Sequence, residues 1–407
     1  MKTQIVIFGL TGDLGKRKLL PSLDYILNNK SLNPEDLEII GISRREVDAK
    51  EILETSLGQD GAQKSLLAPI LSFHKVNLAD LDDYIVLKQH LRSKRTKRGW
   101  KASETKVLFY LSVPPTSAAK ISELLGKSGL NSKNIKILFE KPFGIDLASA
   151  EDFFDRTSQY FSEKQILRVD HYLMKTPIRA LQAILDKNQI LRDLRSQKQI
   201  KSIVITAYET LDIEGRAIFY EQTGALRDFV QNHLASILAT ILSNENSNFR
   251  AARAGALENI NNIRDMSAQA KRAQYKGYRK EVENPNSNTE TFSEIHLNSS
   301  DKAWQGVNFI LRHGKAMAKK QSKIEVEFTN KRSKPLLMNI ADDASDIPPY
   351  AQVFLDAVLD RRNFFVSQKE ILESWRIFDP VLKNWAFRAA DGLEFYSKSS
   401  PAIDFKH

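Results

Sequence analysis

The chain has 407 residues, 42% of them hydrophobic and 27% charged, which is enough for two domains that each bury a core. No uncharged apolar stretch approaches the roughly 18 residues of a membrane-spanning helix, and the absence of cysteine excludes disulfides, thiolate catalysis and cysteine-bound zinc. The formal charge of +10 raises nucleic acid as a partner, but the densest basic run, Arg92-Ser93-Lys94-Arg95-Thr96-Lys97-Arg98, lacks a reading element or stacking aromatics and reads as a solvated face.

The first element is an apolar strand over Gln4–Phe8, followed by a glycine turn and a helical stretch over Arg17–Leu27. The sequence MKTQIVIFGL runs directly into that turn without a signal peptide's cleavage region, so a cytoplasmic location is expected. Strands are predicted at Leu37–Ser43, Leu71–Val76, Lys106–Val113 and Lys136–Phe139, then a helix at Leu147–Tyr160 and a sixth apolar run at Gln165–Val169. Such alternation predicts a parallel α/β sheet, a Rossmann-like domain over residues 1–165. From 166 to 407 the texture changes. Helical patterns at Pro177–Leu185, Gly224–Leu242 and Ala256–Arg272 mix with strands at Ser202–Tyr208, Thr291–Leu297, Gly306–Arg312 and Lys323–Phe328. Without regular crossovers, these strands predict a mixed or antiparallel sheet flanked by helices. Two further helices are expected over about Tyr350–Asp360 and Gln368–Trp385.

The turn Gly9-Leu10-Thr11-Gly12-Asp13-Leu14-Gly15-Lys16 joins the first strand to the first helix. Glycines there let the backbone approach a pyrophosphate at the positive end of the helix. The spacing is G-x-x-G-x-x-G, a weak signal alone that gains weight from its place in the alternation. The second strand ends Gly41-Ile42-Ser43-Arg44-Arg45, with no acid before Glu46. A carboxylate at that point would hold the ribose hydroxyl of NAD, whereas Arg44 suits the 2′-phosphate of NADP, unless both arginines are ordinary surface charge.

Seven blocks resemble the glucose-6-phosphate dehydrogenase family. They are Phe109-Tyr110-Leu111-Ser112-Val113-Pro114-Pro115, Glu140-Lys141-Pro142-Phe143-Gly144, Arg168-Val169-Asp170-His171-Tyr172-Leu173-Met174-Lys175, Gly224 to Leu234, Asn286 to Phe292, Gly306 to Lys315, and Ser374-Trp375-Arg376-Ile377-Phe378-Asp379-Pro380. They run in family order along nearly the whole chain. The resemblance implies oxidation of glucose 6-phosphate at C1 with NADP as hydride acceptor, and no metal. It makes His233 the general base and Asp170 the residue that orients it. His171, Tyr172, Lys175 and Lys320 are expected to hold the phosphate, and Glu209, Asp228 and Lys315 the sugar. Lys141 is expected to reach both substrate and nicotinamide. From the residues alone, the better readings are a satisfied core histidine for His233, a local pair for Asp170-His171, and solvated charge for Lys315 and Lys320.

Three features depart from the family pattern. Met174 and Thr176 replace a glycine and a glutamate around Lys175, and Gly215-Arg216-Ala217 lacks paired glycines. The chain is also short, mainly between Phe328 and Pro348, where no strand of the large sheet is expected. The family's homodimer contact lies on that sheet, so the shortening bears on the dimer the resemblance implies.

Overall fold

The computed structural model describes residues 2–187, 198–243, 248–330, 332–341, 343, 346–403 and 405. Two compact units form: one from Met1–Gly144, Ala148–Met174 and Ile347–Gln368, the other from Ile145–Leu147, Lys175–Asp346 and Lys369–His407.

In the first unit, strands β1 (Lys2–Phe8), β2 (Leu37–Ser43), β3 (Leu71–Lys75), β4 (Thr105–Leu111), β5 (Ile135–Phe139) and β6 (Ile166–Arg168) form one sheet in the order β3-β2-β1-β4-β5-β6. Every pairing is parallel. β1, β2, β4 and β5 are almost wholly buried, which is why they read as continuous apolar runs rather than alternating ones. Helices α1 (Leu20–Asn28), α2 (Ala49–Lys64), α3 (Leu81–Lys97), α4 (Pro115–Lys127) and α5 (Leu147–Ser158) supply the crossovers. Asp48 and Asp80 start α2 and α3 by accepting from the backbone N–H of Lys50 and Asp82. The order reverses between β1 and β4, the switch point where ligands of such sheets bind. A helix from far along the chain, Pro349–Val358, packs in the same unit, where Lys106 Nζ donates to the Val358 carbonyl at 2.8 Å.

The second unit is built on β7 (Ile200–Tyr208), β8 (Ala270–Tyr275), β9 (Phe292–Leu297), β10 (Asn308–Gly314), β11 (Gln321–Phe328), β12 (Leu336–Asn339) and β13 (Leu393–Tyr396), ordered β12-β11-β7-β10-β9-β8-β13. β7–β10 and β8–β13 are parallel and the other pairings antiparallel, so the sheet is mixed as expected.

Two expectations fail here. The helix predicted over Ala256–Arg272 does not form; one helix ends at Glu258 and the chain then turns into β8. Asn259, Asn261 and Asn262 interrupt the helix, and Asp265 caps only the short turn Met266–Gln269. β8 was hidden because its buried residues include Arg272 and Gln274, which hydrophobic periodicity does not count. The Arg272 guanidinium is used structurally, donating to the Ala389 and Asp391 carbonyls at 2.5 and 3.0 Å. A strand also exists where none was expected. β12 pairs antiparallel with β11 at the sheet's edge, but four residues are too few to show a period.

Candidate active site

The glycine turn is shaped by contacts only glycine permits. Gly9 has φ +81°, and a Cβ there would lie 2.1 Å from the Ser112 carbonyl oxygen. At Gly15 a Cβ would lie 2.0 Å from the Leu10 carbonyl oxygen. Gly12 N–H closes the turn on the Gly9 carbonyl at 2.9 Å, and Lys16 N–H reaches the Gly12 carbonyl at 3.0 Å. The helix begins at Asp13, winds as a π-helix over Gly15–Leu19 and continues as α1. Thr11 and Leu14 are partly exposed and Gly12 and Asp13 exposed, so this turn presents backbone to solvent at the switch point. Asp13 also pairs with Arg17 at 2.8 Å on the surface. Past the end of the neighbouring strand β2, Arg44 and Arg45 are both exposed. A turn of this shape can take a dinucleotide backbone, and two exposed cations suit a 2′-phosphate.

The same unit holds the remaining predicted residues numbered below 175. Lys141 follows β5 and precedes Pro142 in a cis peptide. Asp170 is buried after β6, and its Oδ1 accepts from the Tyr172 N–H at 2.9 Å. The His171 ring meets Tyr172 edge-on and stacks on Tyr350 of the returning helix, with centroids 5.9 Å apart. Tyr110 donates to Glu140, the residue before Lys141. Burial pushes the Glu140 carboxyl up to about 7, opposed by that hydrogen bond and by the Lys141 charge. Met174 is 1% exposed, so its side chain adds volume to the core of this unit rather than to open space.

In the second unit the predicted residues come from separated segments. Glu209 follows β7 and Lys315 follows β10; these strands are parallel neighbours, and Lys315 Nζ meets Glu209 Oε2 at 2.5 Å. Lys315 is 1% exposed and its ammonium lies 5.3 Å over the Tyr220 ring. Burial disfavours the Glu209 charge, but the fields of His313 and Lys315 and the lysine's hydrogen bond hold the carboxyl below its ordinary value. Burial in turn drives the His313 imidazole down to about 4, opposed by the Glu209 charge.

Asp228 and His233 lie on a stretch wound as a π-helix over Leu226–Leu234, which continues as an α-helix over Ala235–Leu242. Such widened turns are rare and concentrate at functional sites. Glu290 starts this helix: its carboxylate accepts from the Leu226 N–H at 2.9 Å. Its carbonyl accepts from the Ala225 N–H, also at 2.9 Å. Gly224 (φ +66°) makes room, since a Cβ there would lie 2.5 Å from Glu290 Oε1. His233 is 1% exposed and meets the Phe229 ring edge-on at 5.1 Å. Phe229 lies flat on the His313 ring at 4.0 Å, and His313 Nδ1 is hydrogen-bonded to the Ala207 carbonyl at 2.8 Å. Two histidines are thus linked through one phenylalanine, with Glu209 and Lys315 beside the second.

Lys175 is buried, and its carbonyl accepts from the Ile178 and Arg179 N–H groups at 3.0 Å each, opening the helix Thr176–Lys187. Lys320 is exposed and has no side-chain hydrogen bond or ion pair among the described residues. His313, Phe229 and Glu290 were not singled out from the sequence, although the family-like blocks contain all three. Tyr350 carried no signal, because only tertiary packing brings it to His171. Among the described residues no group of three His, Cys, Asp or Glu could hold a metal ion, and no helix is long and apolar enough to cross a membrane.

A parallel sheet with a glycine turn at its switch point, and a second unit carrying two buried histidines and a lysine–carboxylate pair, define a dinucleotide-dependent oxidoreductase. Residues 6–179 match the family described as glucose-6-phosphate dehydrogenase, NAD binding domain, and residues 183–343 match glucose-6-phosphate dehydrogenase, C-terminal domain. A glucose-6-phosphate 1-dehydrogenase from Helicobacter pylori strain 26695 is 32% identical over 94% of this chain and 93% of that protein. One from Gluconobacter oxydans is 31% identical, over 97% and 93%. A crystal structure of the Mycobacterium avium enzyme aligns with TM-score 0.83 and 26% identity, over 98% of this chain and 94% of that one. The chain belongs to the glucose-6-phosphate dehydrogenase family and is an oxidoreductase. Against these bacterial relatives it is short by little; it covers 85% of a cytoplasmic relative from Arabidopsis thaliana.

Proposed function

We propose that this protein oxidises D-glucose 6-phosphate at C1 to the lactone, with NADP as the acceptor, through His233 as general base. The observation that carries this is a histidine held almost wholly inside a π-wound turn, in a chain that matches both family domains. When bound, the nicotinamide supplies the hydride acceptor. The chain's own residues do the rest. His233 takes the C1 hydroxyl proton, a task suited to an imidazole near neutral pH. Asp170 keeps the orienting role the resemblance implies. Glu209, Asp228 and Lys315 position the sugar hydroxyls, Lys315 being held by Glu209. His171, Tyr172, Lys175 and Lys320 hold the 6-phosphate, and Lys141 serves both substrate and cofactor. Gly9, Thr11, Gly12, Asp13, Leu14, Gly15 and Lys16 carry the pyrophosphate, and Arg44 the 2′-phosphate. We place the protein in the cytoplasm, as the names of two plant relatives place them.

Initial rates of NADP reduction with glucose 6-phosphate and with plain glucose test this. Rapid turnover of the phosphate ester alone is expected, and Lys175→Ala should raise its KM. Equal use of both sugars would remove the phosphate assignment.

A further inference from the structure

At the amino-terminal ends of β4 and β5 the first unit holds a cavity of about 650 Å³, at the opposite end of the sheet from the Gly9 turn. One stripe of α3 forms its wall: Ile85, Lys88, Gln89, Arg92 and Arg95 recur at helical spacing. Buried Leu91, Val107, Leu130 and Ile135 form an apolar floor, and Ser132 and Asn134 a polar edge. Three cations line it and no carboxylate does.

The basic run of α3 divides by face. Lys94 bonds Ser72 Oγ at 3.2 Å and lies 3.8 Å from Glu38. Arg98 donates to the Leu37 carbonyl at 2.5 Å and stacks on Trp100 at 4.5 Å. Those two are consumed by the fold. Arg92 and Arg95 make no side-chain hydrogen bond or ion pair among the described residues, and both face the cavity. Lys88 is held there by the Ser128 carbonyl at 3.0 Å.

We propose that this cavity is a second nucleotide site, separate from the dinucleotide turn. Arg92 and Arg95 grip a phosphate, since two guanidiniums present matched forks to its oxygens. The floor takes the flat base, with Gln89 at its polar edge; the Asn134 amide is spent on the Ala102 and Thr105 carbonyls and on Ser132 Oγ. The volume suits a ligand of that size, and an apolar floor beside a cationic rim fits a nucleotide better than a bare phosphate ion.

Adenosine monophosphate is the probe, titrated calorimetrically into the whole protein with NADP saturating, so that the dinucleotide turn is filled. Saturable binding with a Kd below about 1 mM is expected, weaker by roughly tenfold or more in the Arg92→Ala/Arg95→Ala variant. Adenosine and inorganic phosphate, each alone, should bind more weakly than the nucleotide. Neither arginine makes a side-chain hydrogen bond or ion pair among the described residues, so the variant should melt like the parent and keep its basal NADP reduction. No binding, binding abolished by NADP, or undiminished binding to the folded variant would each overturn the proposal. If phosphate alone binds as tightly as the nucleotide, the base pocket is wrong and the proposal fails.

Discussion

The two units assemble their functional groups by opposite means. The first, at its dinucleotide turn, uses backbone: eight consecutive residues form the turn, and its shape follows from two glycines whose missing side chains let carbonyl oxygens approach to within 2.1 Å of where a Cβ would stand. The second uses side chains from segments far apart in sequence, namely Glu209, Phe229, His233, Glu290, His313 and Lys315, held by burial and charge pairing. Both place a π-wound turn at the candidate site. A backbone site is a local object that one substitution distorts. A side-chain site is a distributed one, whose members have graded effects.

The largest expected effect lies in the second unit. His233→Asn should lower kcat by about 10²–10⁴-fold, with KM little changed and the circular-dichroism spectrum unaltered. A folded variant with near-parental kcat would remove the base and leave the second unit a scaffold only.

Next in size is the buried ion pair of that unit. Arg253 Nε meets Glu370 at 2.5 Å, with side chains 0% and 2% exposed. Arg253→Leu strands a buried carboxylate and should cost about 3–5 kcal/mol in urea unfolding. The exposed Arg17–Asp13 pair of the first unit is the contrast, where Arg17→Ala should cost under about 1 kcal/mol. Equal costs would break the distinction between a buried charge pair and an exposed one.

Acid should act on the second unit through His313. Its folded value of about 4 lies below the ordinary 6.5. Between those values the unfolded chain binds a proton that the folded chain does not, so stability falls as pH falls through that window. At about 1.4 kcal/mol per unit, the loss is roughly 3 kcal/mol. Chemical unfolding of His313→Gln at pH 6.5 and pH 4.5 should show a shallower decline than the parent. A slope unchanged by the substitution would assign the decline to other groups, His90 in the first unit among them, which burial also lowers to about 4.

The smallest effect belongs to the first unit's specificity. Arg44→Ala should reduce the preference for NADP over NAD by roughly tenfold to a hundredfold, a charge-assisted contact being about 1.5–3 kcal/mol. Kd values for each dinucleotide, measured by fluorescence, give the ratio. If both weaken equally, Arg44 is not reading the 2′-phosphate.

The sequence by itself determined the parallel sheet, the glycine turn, the arginines after β2 and the order of family-like blocks. These rest on local patterns: buried strands read as apolar runs, and a turn needing positive φ at Gly9 must carry glycine. It also placed His233 on an apolar helical face, without distinguishing a base from a core histidine. Only the tertiary structure paired Glu209 with Lys315, since they lie 106 residues apart and meet through parallel β7 and β10. It alone brought Tyr350 to His171 and made β8 a strand around buried Arg272 and Gln274. It also divided one basic run into Lys94 and Arg98, which the fold consumes, and Arg92 and Arg95, which it leaves facing a cavity. The physical reason is the same throughout. Backbone geometry and apolar burial repeat over a few residues and leave a local trace, whereas a charge's partner is chosen by whatever the chain folds against it.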